Sequence, residues 1–462
     1  MRDTVVILAV FVGVLLTLRK PFIGVLTWTW LGLMNPHMLC WSFAAGQPFA
    51  QIVALTTLGS ILVSKEQKRI PWYPLSRMLV VWWGWMLVTT FFAFNQSAAW
   101  LQWDKVWKVQ LFVFVTMMML TSKERINALV LVMMVSLGLY GVKGGIFTIL
   151  TGGGYHVMGP VSTFIGGNNE IGLALIMTVP LMRFFHLQAP RAWMKTGMMV
   201  SMILTFVAIL GTQSRGALVG LVVMVAYLVM KTRKRGVLVL VLLLALPVGY
   251  LFMPESWHER MDTIETYEED ASAMGRINAW WTAWNLASDR PIVGGGFETF
   301  NWRIFNRYAP VASDVHDVHS IYFEALGEHG FVGLFLFLSL GFLGILTARK
   351  IVRETKSEPR LSWMRDLASM IHVSLIGYAA SGAFLGLAYF DFYYTLLATL
   401  VGLQALLARY QANGIPDTEV AQLPGVAVRK GRADRPVKAV GTPPAVRSGR
   451  LVEEFKAWFA KL

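Results

Sequence analysis

The stretch that decides the fold is residues 196–230, TGMMVSMILTFVAILGTQSRGALVGLVVMVAYLVM. Its 35 residues contain a single charge, Arg215. A bilayer core of about 30 Å needs about 20 apolar residues to be crossed by a helix. The stretch is too long for one crossing, so it predicts two spans, 196–213 and 216–230, with Arg215 at the connection between them.

The rest of the chain has the same character. Of 462 residues, 55% are hydrophobic and only 15% are charged, which is more apolar surface than a soluble fold of this size can bury. We therefore predict an all-α, polytopic integral membrane protein with about 12 transmembrane helices. The remaining predicted spans are 76–94, 105–121, 126–149, 167–188, 236–253, 328–348, 367–388 and 392–408, with weaker ones at 4–18, 21–35 and 49–64.

The connectors carry a consistent charge pattern. Lys and Arg in short loops favour the cytoplasmic side. The basic connectors alternate along the chain with connectors that are not basic, so all of them can lie on one side of the membrane. The basic connectors are 65–77, 123–125, 191–195, 231–235 and 349–365. The other connectors are then external, and the C-terminus is cytoplasmic. The net charge of +14 follows from this basic inner rim beside anionic lipid, so no nucleic-acid partner is predicted.

Two segments depart from the pattern of spans and short loops. Residues 254–327 form a long external loop, in which 275–287 has the spacing of an amphipathic helix. We predict an ordered helical cap on the outer membrane surface. The tail is divided into a disordered basic linker, 410–450, and an amphipathic helix, 451–462, for which the inner leaflet and a protein partner are alternative docking sites. Residues 1–409 form the transmembrane domain.

Three residues on the predicted outer side are candidates for chemistry. Arg215 and Arg276 each offer a guanidinium fork that suits a phosphate. Each also has a plain alternative, as an arginine that snorkels to headgroups or a solvated surface charge. His319 is the best-placed general base, because a neutral imidazole can take a proton near pH 7. The alternative for His319 is a surface or interfacial histidine.

Weaker candidates complete the set. Lys143 lies in the outer half of a predicted span, where an ammonium is costly unless it lines a polar cavity. Asp391 is an outward carboxylate that either orients a histidine or marks a turn, and 166–170 (GGNNE) is either a helix start or part of a site. We predict no metal, because the histidines lack a second pair of ligands, and no cofactor.

Three motifs in order on this topology, SRGALVG at 214–220, GRINAWWTAW at 275–284 and HSIYFEALGEHGFVG at 319–333, resemble the bacterial O-antigen ligase and polymerase superfamily. The chain looks closest to the ligase branch, in the form encoded beside exosortase systems. The resemblance covers roughly residues 130–400.

The resemblance implies transfer of O-antigen polysaccharide from undecaprenyl diphosphate to a sugar hydroxyl of lipid A-core, at the periplasmic face of the inner membrane. His319 takes the family's base position, Arg215 and Arg276 its diphosphate-binding positions, and Lys143 a less secure substrate position. Such a reaction is metal-independent and inverting. An O-antigen polymerase and a protein (pilin) O-oligosaccharyltransferase stay open as alternatives, as does a transporter, although no internal repeat supports the last.

Overall fold

The computed structural model describes residues 2–66, 68–231 and 271–416, together with 236, 243, 250–255, 257 and 258. Fourteen α-helices lie in these residues. They are α1 Arg2–Arg19, α2 Pro21–Met34, α3 Phe49–Val63, α4 Pro74–Phe91, α5 Gln96–Met119, α6 Lys123–Leu150, α7 Asn168–Gln188, α8 Ala192–Gly211, α9 Arg215–Lys231, α10 Ala271–Asp289, α11 Trp302–Tyr308, α12 Ile321–Glu354, α13 Ser362–Ser381 and α14 Asp391–Asn413. Most of the predicted span 236–253 and the tail from 417 lie outside the described residues.

The predicted all-α membrane fold is confirmed. In the described part of the chain, six helical segments are long and apolar enough to cross a bilayer: α6, α7, α8, α12, α14 and Pro359–Phe384, which contains α13. Shorter apolar helices occupy Pro21–Met34, Phe49–Val63 and Arg215–Met230. The predicted total of about 12 spans stays a prediction.

The closest helix pairing joins α6 to α8 through small residues. A Cβ on Gly145 would lie 2.1 Å from the carbonyl oxygen of Leu204, and one on Gly141 would lie 2.4 Å from Oγ1 of Thr205. Only glycine permits so close an approach. The resulting van der Waals packing stabilises the helix pair, because inside lipid there is no hydrophobic driving force between helices. This pairing fixes the rotation of α6 and leaves Lys143 exposed.

Contacts between connectors follow the predicted alternation. Arg125 makes a two-pronged ion pair with Glu66, at 2.6 and 2.8 Å, and Arg409 donates to the carbonyl oxygen of Thr121 at 2.8 Å. The connectors predicted to be cytoplasmic are therefore joined to one another. Among the other set, the N–H of Phe94 donates to the carbonyl oxygen of Gly295 at 2.9 Å.

The helix α12 is broken at Gly330, whose φ of 71° and ψ of −175° are non-helical. The N–H groups of Gly295 and Gly296 donate to the carbonyl oxygens of Gly327 and Glu328, both at 2.8 Å. Segment 291–296 thus satisfies carbonyls that the break would leave unpaired, as buried backbone requires. The result is a short helix, 321–329, followed by a long one, 331–354, whereas the sequence predicted one span from 328.

The helix predicted within residues 254–327 is confirmed as α10, which runs from Ala271 to Asp289. Its side chains reach two other parts of the loop. Asn278 donates to the carbonyl oxygens of Val311 and Asp314, both at 2.9 Å, and Asn285 donates to that of Tyr308 at 2.9 Å. The described part of the loop is therefore ordered around α10.

Candidate functional site

The first turns of α7 and α9 are joined side by side. Asn168 donates from Nδ2 to the carbonyl oxygen of Thr212 at 3.0 Å, and the hydroxyl of Ser214 donates to Oδ1 of Asn169 at 2.5 Å. The Ser214 oxygen also accepts the N–H of Ala217 at 3.1 Å, which caps the start of α9. Two positive helix ends therefore open onto the same region.

Arg215 is the first residue of α9 and is half-buried. Beside it, a Cβ on Gly216 would lie 2.8 Å from Cβ of Phe384. Gly216 thus admits a close neighbour, which comes from the segment between α13 and α14. Phe384 in turn lies near Trp280 of α10, with ring centroids 6.5 Å apart, so aromatic contacts connect the Arg215 end to the external loop.

Arg276 is held in place through its neighbours on α10. A Cβ on Gly275 would lie 2.4 Å from Cδ2 of His316, so the glycine allows the histidine ring to rest on the helix backbone. One turn further on, Trp280 stacks on Phe323 with centroids 5.2 Å apart and donates from Nε1 to the carbonyl oxygen of Val318 at 2.8 Å. These contacts dock α10 against the segment that carries His319.

His319 immediately precedes the N-cap of α12 and has a left-handed backbone, with φ of 42°. A non-glycine residue in that region is held by its surroundings and often marks a functional position. Its side chain is 30% exposed, and Nδ1 lies 3.7 Å from Oδ2 of Asp317. Nδ1 is buried and makes no hydrogen bond to any residue that the structure describes.

Burial and four nearby charged or titratable groups affect the pKa of His319. Burial is the main cause that lowers the pKa of His319, and the charges of Arg276 and His316 lower it further. Asp317 and Glu170 act in the opposite direction and raise it. Glu170 lies in the first turn of α7, which is joined to the start of α9 through Asn168. A low pKa keeps the imidazole neutral and ready to accept a proton.

The structure places Lys143 and Asp391 elsewhere. Lys143 is exposed on α6. Asp391, the first residue of α14, faces α2, where a Cβ on Gly32 would lie 2.7 Å from its Oδ2. The carboxylate beside His319 is Asp317.

A buried polar network that the sequence did not reveal lies at the break in α12. His329 bonds through Nδ1 to the hydroxyl of Thr89 at 2.6 Å and through Nε2 to that of Tyr389 at 2.7 Å. Tyr389 donates to Glu328, whose Oε1 accepts the N–H of Glu298 at 2.8 Å. Burial raises the pKa of Tyr389 well above its usual value. The network ties α4, α12, the external loop and segment 385–390 together.

Over the described residues, no group of three or more His, Cys, Asp or Glu side chains has the arrangement to hold a metal ion. The charged groups that act on His319 are instead one cation, Arg276, and two carboxylates, Asp317 and Glu170, the last in the first turn of α7. Such a set can bind an anion and move a proton.

Two protein families match the chain. Residues 1–189 match a family of unknown function, DUF5935, and residues 200–338 match the O-antigen ligase family. None of the curated proteins matches. The second match contains Arg215, Arg276 and His319, whereas Lys143 and Asp391 lie outside it.

Proposed function

We propose that this chain, a member of the O-antigen ligase and polymerase superfamily by its match over residues 200–338, joins O-antigen polysaccharide to lipid A-core. The donor is undecaprenyl-diphosphate-linked O-antigen, and the acceptor is a sugar hydroxyl of lipid A-core. The site faces the periplasm from the inner membrane. The observation that carries the proposal is that Phe384 lies against both Gly216, next to Arg215, and Trp280 of α10, while Trp280 donates to the carbonyl oxygen of Val318, next to His319.

The positive groups suit a diphosphate. Arg215 and Arg276 supply two guanidinium groups, each with a planar fork of N–H donors that matches phosphate oxygens. The N-termini of α7 and α9 add partial positive charge at the start of each helix. As the bond from the anomeric carbon to the diphosphate breaks, negative charge grows on the leaving oxygen. Cations already in position stabilise that charge, so the leaving group needs no proton.

His319 supplies the general base that the acceptor hydroxyl requires. The acceptor hydroxyl gives its proton to an imidazole nitrogen as its oxygen attacks the anomeric carbon. One bond forms and one breaks in a single displacement, so the anomeric configuration inverts. Undecaprenyl diphosphate leaves, and the proton on His319 passes to solvent before the next turnover. No step requires a metal or a cofactor.

In the proposal, Lys143 and Asp391 contribute to substrate binding only indirectly, because of where they lie. The exposed ammonium of Lys143 suits contact with donor or lipid phosphate from the membrane side of α6. Asp391 faces Gly32 of α2 and supports the segment that carries Tyr389. We assign proton transfer to neither residue.

The proposal is tested by offering acceptors separately to the purified protein in lipid nanodiscs. The donor is undecaprenyl-diphosphate-linked O-antigen, and the acceptors are lipid A-core, a second lipid-linked glycan and a pilin. We expect product with lipid A-core, with and without excess EDTA. Product with the second glycan alone would make the chain a polymerase, and product with pilin alone would make it a protein glycosyltransferase. Loss of activity with EDTA would overturn the metal-independent mechanism.

A further inference from the structure

The carboxylate of Asp317 is oriented by the chain itself. Its Oδ1 accepts the N–H of Val318 at 2.9 Å, while the carbonyl oxygen of Val318 accepts the indole N–H of Trp280 at 2.8 Å. Both backbone polar groups of Val318, which lies between Asp317 and His319, are therefore hydrogen-bonded. With Oδ1 occupied, Oδ2 is the atom that lies 3.7 Å from Nδ1 of His319.

Nδ1 of His319 is a buried polar atom with no hydrogen bond to any described residue. A buried N–H without an acceptor costs about 1–3 kcal/mol, so the arrangement favours a small closure onto Asp317. Reaching hydrogen-bond distance requires Oδ2 and Nδ1 to approach by only about 0.5–1 Å. Catalytic hydrogen bonds are often long in a free enzyme and tighten in the complex with substrate.

We propose that Asp317 is the positioning residue for His319. Resting on the proposed function, the inference is that Oδ2 of Asp317 accepts the Nδ1–H of His319 when substrate is bound. This bond selects the tautomer in which Nε2 carries the free lone pair, and Nε2 removes the proton of the acceptor hydroxyl. The carboxylate then stabilises the imidazolium that forms, and the proton on Nε2 passes to solvent, which restores the tautomer with a free lone pair on Nε2.

Other charged groups near His319 also favour or oppose a positive charge on its imidazole. Arg276 and His316 oppose a positive charge on His319, whereas Glu170 supports it together with Asp317. Glu324 of α12 also lies near: a Cβ on Gly386 would be 3.3 Å from Oδ2 of Asp317 and 3.4 Å from Oε2 of Glu324. Glu324 accepts the N–H of Ala388 at 2.9 Å through that same oxygen, so it is engaged with the loop before α14.

Asp314 offers a matched control. It lies three residues earlier in the same segment and pairs with a histidine as well, since its Oδ1 is 2.6 Å from Nε2 of His316. The variants Asp317→Asn and Asp314→Asn each remove one carboxylate charge beside one imidazole. If Asp317 acts through His319, only the first change alters the chemical step.

The test measures kcat, KM and the pH dependence of kcat in nanodiscs for wild type, Asp317→Asn, Asp317→Glu and Asp314→Asn. For Asp317→Asn we expect kcat to fall about ten- to a hundredfold, a part of what a general base contributes, with KM little changed. Loss of the nearby negative charge lowers the pKa of His319, so the acid limb of the profile moves about one unit to lower pH. Asp317→Glu recovers part of the rate, and Asp314→Asn behaves as wild type.

Three results would overturn the inference: an unchanged kcat in Asp317→Asn, a fall in kcat with an unmoved acid limb, or an equal effect of Asp314→Asn. His319→Ala separates this outcome from failure of the proposed function. If His319→Ala is inactive while Asp317→Asn matches wild type, the assignment of His319 as the general base is supported and the positioning role of Asp317 is wrong. If His319→Ala keeps full activity, the assigned base itself is wrong.

Discussion

Replacing Gly330 by Ala tests whether the break in α12 is built into the fold. Gly330 has φ 71° and ψ −175°, a conformation that essentially only glycine adopts, and a non-glycine residue there costs about 1–3 kcal/mol. The added Cβ would lie 2.5 Å from the carbonyl oxygen of Ile292, so segment 291–296 must move. That movement strains the hydrogen bonds from Gly295, Gly296 and Phe331, each worth about 0.5–1.5 kcal/mol.

We therefore expect Gly330→Ala to lower the free energy of unfolding by about 2–5 kcal/mol in total. The assay is equilibrium unfolding in mixed micelles, followed by tryptophan fluorescence. Gly341→Ala is the matched control on the same helix, because its Cβ would meet only the Tyr393 hydroxyl, at an ordinary 3.6 Å. That change removes a helix-interior glycine and should be neutral or stabilising by up to about 1 kcal/mol. Equal stabilities of the two variants would refute the reasoning.

Two further predictions concern His319 and the buried network. Arg276→Gln removes a positive charge that lowers the pKa of His319, so that pKa rises and the acid limb of the kcat profile moves to higher pH; an unmoved limb would contradict the placement of Arg276. Tyr389→Phe leaves Glu328 and His329 without a shared hydroxyl, and we expect a loss of about 1–3 kcal/mol in unfolding free energy. Tyr155→Phe, at a 67% exposed tyrosine, is its control and should change stability by less than about 0.5 kcal/mol.

The sequence predicted the all-α membrane fold, because hydropathy and span length are set by the bilayer and not by tertiary contacts. It also predicted the helix at 275–287, although the buried face is formed by Ala279, Ala283 and Leu286, and Trp281 and Trp284 are exposed. The break at Gly330 was missed. The long apolar run after Gly330 favours a helix, and the break depends on a segment some 35 residues earlier whose N–H groups donate to the carbonyl oxygens of Gly327 and Glu328.

The candidate site was predicted in part. Arg215, Arg276 and His319 were selected as outward polar groups in a hydrophobic chain, and charge is visible in sequence. Which carboxylate faces His319 depends on loop geometry, so Asp391 was considered and Asp317 was not, although Asp317 is only two residues away. Glu170 stayed undecided because a helix start and a site have the same composition. No sequence signal distinguished His329, buried at the break, from an ordinary interfacial histidine.

The most direct test of the central claim is single-turnover transfer of O-antigen from undecaprenyl diphosphate to lipid A-core by purified wild type, His319→Ala and His316→Ala proteins. His316 is the matched control, because it lies in the same segment and also has an aspartate partner. The account predicts that His319→Ala loses at least about a hundredfold in rate, while His316→Ala retains most of it. Transfer by His319→Ala at the wild-type rate would contradict the account.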